Sequence, residues 1–485
     1  MGSLSLLNLA LDAFGKYVTN ITEMLVIMSH CSKVESFSAK FVQPICTYLE
    51  AMLQCFVPPT LANEVTRVLM LRVIKSYNDL DRRRYTIKLR SDEEGKLRNL
   101  SLETIAEISA AILHPCITTF QFSRAHVVLF VGYFQIRRFM NLFLWKVFKK
   151  LEMIRSLKLE VYQYEPKVLI QGLKVMKHLE EFTFWGCSDD ILEVLSNSCK
   201  NLKKLDVRNS IDVTDSSLGA ICSFKQLKHL DIMYTSITKE GVLQILSGVY
   251  DLKVFKAALT NDLVDVVPTS LKNLYSVHVR IMENCSLSSW KTLQHLRSLY
   301  LSHHPGISGS FVYYEELLRQ IGRQLTHLKL IDMCNLNLRQ VSEYCSSLQY
   351  IGIHLMCPNC IGFYDNLQRY HLIDFPSIES CDIEIFRSDI VEQILISFVN
   401  VQKVNLRGFK EPFDSLLKYL LQRMKTEKIE LYLFGNRLQV FGDTLFISKA
   451  NGSSVYRPII DLKCVVKDII CWKDVDFRDR AFKQV

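Results

Sequence analysis

The sequence predicts an α/β solenoid, with short parallel strands lining one face of a stack and helices the other. Two observations predict it. An apolar-x-x-apolar-x-apolar pattern recurs in twelve copies between Ile154 and Leu433, at spacings of 22 to 30 residues. The stretch after each pattern carries apolar residues at helical spacing, in several copies behind a Ser or Thr. Such a period marks an array of stacked units.

The copies begin at Ile154 (with Leu157 and Leu159), Leu179 (Phe182, Phe184), Leu202 (Leu205, Val207) and Leu227 (Leu230, Ile232). They continue at Leu252 (Phe255, Ala257), Leu274 (Val277, Val279), Leu296 (Leu299, Leu301) and Leu325 (Leu328, Leu330). Leu348 (Ile351, Ile353), Ile378 (Cys381, Ile383) and Val401 (Val404, Leu406) follow; in the last copy Lys428 breaks the first position but Leu431 and Leu433 fit. The last two apolar positions alternate with polar ones, so they point inward from a strand. One strand buries little, but each large side chain that stacking buries contributes about 1.5–3 kcal/mol.

Three helical halves align, opening at Ser188-Asp189, Thr214-Asp215 and Thr238-Lys239. The Ser or Thr is expected to cap each helix. Upstream, Leu97 (Leu100, Leu102) and Ile117 (Phe120, Phe122) read as early rungs, and no register is evident from there to Ile154. The pattern resembles the cysteine-containing class of leucine-rich repeats, in which a Cys precedes the next strand. Cys199 and Cys345 stand at that place.

Composition narrows the function classes. The net charge of +9 is a mild excess over 485 residues, and its densest run is Arg82-Arg83-Arg84. No nucleic-acid partner is expected. Fifteen Cys are scattered, many among apolar neighbours, which predicts reduced residues of an intracellular protein, cytoplasmic or nuclear. The N-terminus lacks the positive region of a signal peptide, Leu6 stands where a myristoylation motif needs Ser or Thr, and no apolar run is long enough to span a bilayer. No phosphate-binding, nucleophile-elbow or HExxH motif occurs. Cys357 and Cys360 form a CxxC without a second pair. A non-enzyme without metal or cofactor is expected.

Residues 1–90 lack the repeat and read as helical. Leu6, Ala10 and Phe14 fall on one helix face. That spacing is similar to an elongin-binding BC box, with Ala10 replacing its Cys. Val57-Pro58-Pro59-Thr60-Leu61 with Val65 resembles the cullin box of von Hippel–Lindau-type receptors, and also the first helix of an F-box. The order of these boxes ahead of leucine-rich repeats looks like the zyg-eleven/zer-one family of ubiquitin-ligase receptors. In that family armadillo repeats follow and read glycine degrons, and this sequence ends without room for them. The resemblance implies a non-catalytic substrate receptor that docks elongin C or a Skp-type adaptor and a cullin through Leu6, Ala10, Phe14, Val57, Pro58, Leu61 and Val65. A repeat scaffold or regulator unconnected to ubiquitin transfer is the alternative.

The implied organisation is a helical adaptor-binding segment over 1–90, a solenoid over 91–435 and a C-terminal cap over 436–485, where Asn451-Gly452 signals a hairpin. Residues flanking the inward positions face the concave wall. Among them Trp185, Arg208, His229, His278, Arg280, Tyr300, His327 and Tyr350 suit a protein-binding hot spot. Two long copies insert aromatic residues and histidines at His303, His304, Phe311, Tyr313, Tyr314, Phe363, Tyr364 and Tyr370. These loops are the second candidate for substrate contact.

Overall fold

The computed structural model describes residues 2–31, 37–84, 102–123, 133–160, 164–282, 285–303, 309–355, 375–385, 388–407, 416, 419–420, 430–433, 436–441, 444–449 and 458–459. The chain divides into two compact units, Met1–Val249 and Tyr250–Val485. Each carries leucine-rich-repeat solenoid architecture.

The first unit opens with helices α1 (Gly2–Cys31), α2 (Gln43–Phe56) and α3 (Ala62–Arg84). α1 packs on α3. Their contact face buries Val18, Thr22, Leu25 and Val26 of α1 and Val65, Leu69 and Val73 of α3, at the three- and four-residue intervals of a helix stripe. An Asp12–Arg72 ion pair of 2.6 Å spans the two helices. Pro59 begins a 3-10 turn just ahead of α3, where its missing N–H removes no bond. Helix α4 covers 102–111 and buries Leu102, Ile105, Ala106 and Ile108. Leu102 is therefore helical rather than part of an early rung. An apolar pair three residues apart suits a helix face as well as the opening of the repeat. Leu97 and Leu100 lie outside the described residues.

Strands β1 (Thr119–Ser123), β2 (Ser156–Glu160), β3 (Glu181–Phe184), β4 (Lys204–Asp206) and β5 (His229–Asp231) pair in parallel, each with the next. Phe120, Leu157, Phe182, Leu205 and Leu230 share one register row, and all are buried. The gap in the sequence period is thereby resolved. β1 pairs with β2 across an enlarged copy that holds the helix Tyr133–Phe148, whose Phe143 ring stands 4.7 Å from that of Phe122. Asn63 at the start of α3 accepts the N–H groups of Thr118 (2.9 Å) and Thr119 (3.1 Å). The N-terminal helices thus hold the first strand.

The helices Asp189–Ser198, Leu218–Ser223 and Lys239–Gly248 bury Leu192, Leu195, Ile221, Val242 and Ile245. Thr214 and Thr238 cap as expected; Ser188 occupies its N-cap without a side-chain bond. Asp189 instead accepts from Thr214 N (2.8 Å), Thr214 Oγ1 (2.6 Å) and Ser217 Oγ. Asp215 does the same to Thr238 N (2.9 Å) and Oγ1 (2.6 Å), so the repeated Thr and Asp tie one rung to the next. Gly186 (φ 79°), Asn209 (φ 59°) and Tyr234 (φ 58°) turn the chain at equivalent points after β3, β4 and β5.

The second unit continues with β6 (Val254–Leu259), β7 (Ser276–Ile281), β8 (Ser298–His303), β10 (His327–Ile331), β12 (Tyr350–Leu355), β13 (Ser380–Ile385), β14 (Lys403–Arg407) and β15 (Glu430–Leu433). Each of these pairs in parallel with the next. The short strands β9 (Gly309–Ser310) and β11 (Met333–Cys334) pair separately. Phe255, Val277, Leu299, Leu328, Ile351, Cys381, Val404 and Leu431 form one buried row. After β15 the direction alternates through β16 (Asn436–Phe441), β17 (Thr444–Lys449) and β18 (Pro458–Ile459), all antiparallel. Lys428, Asn451 and Gly452 lie outside the described residues.

Candidate functional site

The cysteines of the repeat are structural. Cys199 and Cys345 are buried just before their strands, Cys199 Sγ lies 3.3 Å from Met176 O, and burial pushes both thiols up to about 12. Among the described residues no group of three or more His, Cys, Asp and Glu is placed to hold a metal, and no helix is long and apolar enough to cross a membrane. Cys357 and Cys360 lie outside the described residues.

On the N-terminal helices, Ala10 is exposed and Phe14 half-buried, stacked 6.4 Å from Tyr17; the side chain of Leu6 is outside the described residues, as are those of Arg82, Arg83 and Arg84. Val57 and Leu61 are half-buried and Pro58 exposed, whereas Val65 is buried in the helix contact. Val65 is thus core. The free apolar face of α1 is a neighbouring one: Leu9, Tyr17, Met24 and Ile27 are 42–65% exposed. At about 100° per residue they fall within roughly 80° of arc.

On the strand face of the first unit, Trp185 and His229 are half-buried. Arg208 lies over the Trp185 ring, 5.1 Å from its centroid, with Nε 3.5 Å from Asp206 Oδ1. Thr183, Asp206, Asp231 and Met233, expected on the open wall, are buried. The two Asp side chains turn to accept the N–H groups of Arg208 (3.3 Å) and Met233 (3.2 Å). They fasten the strand exits rather than face a ligand.

The strand face of the second unit is richer. His278 meets Tyr300 edge-on at 5.7 Å, Tyr300 reaches Tyr350 at 6.2 Å, and His327 stacks on Tyr350 at 5.7 Å. Four predicted contact residues are thereby brought into one chain of ring contacts, His278 and Tyr300 in one register row and His327 and Tyr350 in the row two residues before it. Arg280 is half-buried on β7 beside them. In the same register row as Tyr300, three strands further on, lies a cluster on Asp382. Its carboxylate receives Lys329 Nζ (2.8 Å), His354 Nε2 (2.9 Å), Arg407 Nη2 (2.8 Å) and Asn405 Nδ2 (3.0 Å). Burial pushes the Asp382 carboxyl up. The hydrogen bonds from His354, then Arg407 and Lys329, outweigh burial and hold it well below the usual range. Burial, and then the Asp382 charge, raise the Tyr350 and Tyr300 hydroxyls.

Gly352 makes this cluster possible. Lys329, Gly352, Asp382 and Asn405 occupy one register row on β10, β12, β13 and β14. Lys329 therefore crosses β12 to reach Asp382. A Cβ at Gly352 would stand 2.7 Å from Lys329 Cγ and 3.1 Å from the Tyr350 hydroxyl. The sequence places these residues on the face, but the cluster was not among its site candidates. The aligned Lys-Gly-Asp row was the available signal.

The inserted loops are corrected. His303 belongs to β8 and is buried, with Nε2 2.8 Å from the Tyr314 hydroxyl; Phe311 and Tyr314 are buried too. An aromatic insertion serves the core equally well. Tyr313 alone of those described is exposed, and His304, Phe363, Tyr364 and Tyr370 lie outside the described residues.

Register, inward rows and convex helices define this chain as an α/β leucine-rich-repeat solenoid. No family model matches it, and no curated protein does. Among the solved structures that match is a complex of Rad7 and Elc1 in yeast, at TM-score 0.28 and 12% identity, over 66% of this chain and 91% of that chain. A likeness that slight assigns neither partner nor activity.

Proposed function

We propose that this chain is the non-catalytic substrate-recognition subunit of a cullin-RING ubiquitin ligase, working in the cytoplasm or nucleus. Its N-terminal helices dock elongin C or a Skp-type adaptor, and its strand face holds a substrate protein. The observation that carries the reading is the exposed apolar stripe of α1, upstream of the repeats. Exposed apolar helix faces of this kind mark contact sites. Ala10, Val57, Pro58 and Leu61 remain at or near the surface.

One observation favours a plain repeat scaffold instead. Asn63 grips Thr118 and Thr119, and Val65 and Leu69 are core, so these three residues of the second box are accounted for within the fold. Affinity purification from cells separates the two readings. The ligase reading expects elongin C or a Skp-type adaptor, with a cullin, to co-purify with the chain. That capture should be lost in Leu9→Asp/Ile27→Asp and in Pro58→Asp/Leu61→Asp variants that keep the wild-type circular dichroism. Absence of every such adaptor from the wild-type eluate refutes it and leaves the scaffold.

A further inference from the structure

The outward face of α1 has the spacing of a helix-pairing seam. Ala10, Ala13, Tyr17, Asn20, Met24 and Ile27 are all exposed. They follow one another at intervals of 3, 4, 3, 4 and 3 residues, the heptad alternation with which one helix meets another. At about 100° per residue they share roughly 100° of arc, on the side away from Val18, Thr22 and Leu25, which are buried toward α3. Two flanks border the seam. Lys16 and Glu23 lie on one, and Phe14 and Ile21, both half-buried, on the other. The Lys16 side chain is 70% exposed, and its ion pair is with Asp12, four residues back on its own helix. Among the described residues nothing pairs with Glu23.

We infer that two copies of this chain pair through their α1 helices, antiparallel, over this seam. Matching one copy to the other fixes the orientation. With Tyr17 opposite Asn20 of the other copy, Ala10 faces Ile27 and Ala13 faces Met24, so a small residue meets a large one in every apolar layer. Tyr17 and Asn20 supply the polar layers, which pin the register of a short seam. The same register sets Lys16 beside Glu23 of the other copy, and two-fold symmetry makes that pair twice. Phe14 meets Ile21 on the opposite flank. The contact from Ala10 to Ile27 spans about 26 Å. A parallel pair has none of this. It stacks Ala10 on Ala10 and Ala13 on Ala13, leaving gaps, and sets Lys16 against Ile21 and Glu23 against Met28, so no charge finds its opposite. The pairing stands without the ligase reading, but its regulatory consequence rests on that reading. An adaptor docked on the stripe and a second copy exclude each other, so the paired form is the adaptor-free one.

Sedimentation velocity of the full chain at roughly 1 to 100 µM is expected to show a reversible monomer–dimer equilibrium. Lys16→Glu alone, or Glu23→Lys alone, sets like charges together at both pairs and should raise the dimer Kd on the order of tenfold. Mixing the two single variants restores opposite charges at both pairs and should recover wild-type association to within about threefold. Lys16→Glu/Glu23→Lys in one chain should do the same. The mixture also answers a folding defect, because a damaged chain gains nothing from its complement. Monomer at every concentration overturns the inference. So does indifference to both single variants, or a loss that the mixture leaves unrestored. Adaptor capture from cells is read separately. A monomeric chain that still captures an adaptor removes this inference alone, and a dimer with no adaptor in the eluate removes the ligase reading alone.

Discussion

Replacing Gly352 by Ala should change the stability of the second unit with opposite signs in two backgrounds. In the wild type the new Cβ meets Lys329 Cγ at 2.7 Å, in the middle of the side chain rather than at its free end, so the lysine must swing away. Its ammonium then leaves Asp382, from which it stands 2.8 Å with side chains only 17% and 9% exposed. A charge-assisted bond of that burial is worth about 1.5–3 kcal/mol. Against this, Gly to Ala at a compatible backbone gains about 0.4–1 kcal/mol by restricting the unfolded chain. Gly352 does not use the left-handed region, so that gain applies. The net expectation is a loss of roughly 1–2 kcal/mol. In a Lys329→Ala chain the clash and the ion pair are both gone, and Gly352→Ala should stabilise by about 0.5–1 kcal/mol. Repeat arrays open locally, so hydrogen–deuterium exchange of β10, β12 and β13 is the direct measure. The coupling between the two substitutions should be about 1.5–3 kcal/mol. An effect of the same sign and size in both backgrounds refutes the argument that Gly352 is the passage for Lys329.

Asp382→Asn should flatten the acid limb of stability. The folded carboxyl binds its proton less readily than the unfolded one, so its contribution is present above about pH 4 and is lost as pH falls through the acid range, as denaturation between pH 6 and about pH 2 would show. His303, which burial lowers from 6.5 to about 4, works at higher pH. The neutral ring is the folded form, so stability is full above about pH 6.5 and falls toward pH 4 by up to roughly 3 kcal/mol; His303→Phe should lose that slope in the same titration. Tyr234→Asn should raise stability by about 0.5–1 kcal/mol in thermal denaturation, because Tyr234 sits at φ 58° where the preceding rung uses Asn209. Asp189→Ala should cost about 2 kcal/mol in urea denaturation through its bonds to Thr214 and Ser217, and Asp190→Ala, on the exposed side, should cost under about 0.5 kcal/mol.

How much of this was readable from the sequence depends on the range of the interaction. The inward rows from Leu157 to Leu230 and from Phe255 to Leu431 were legible because burial acts on single positions, and the two-residue alternation of a strand prints them directly. The Thr caps were legible for the same reason. Leu102 was misread because its apolar spacing suits helix and strand alike, and Phe311 and Tyr314 because aromatic content does not distinguish core from contact surface. The face was legible only as a catalogue of outward residues. What those residues do depends on neighbours about 23 to 53 positions away, as Lys329 and Asp382 are, and on the length of the side chain between them. The same dependence bears on function. Asp382 neutralises cations that a simple count would give to a ligand. Of the predicted contact residues, Arg208 is held in the same way, by Trp185 and Asp206.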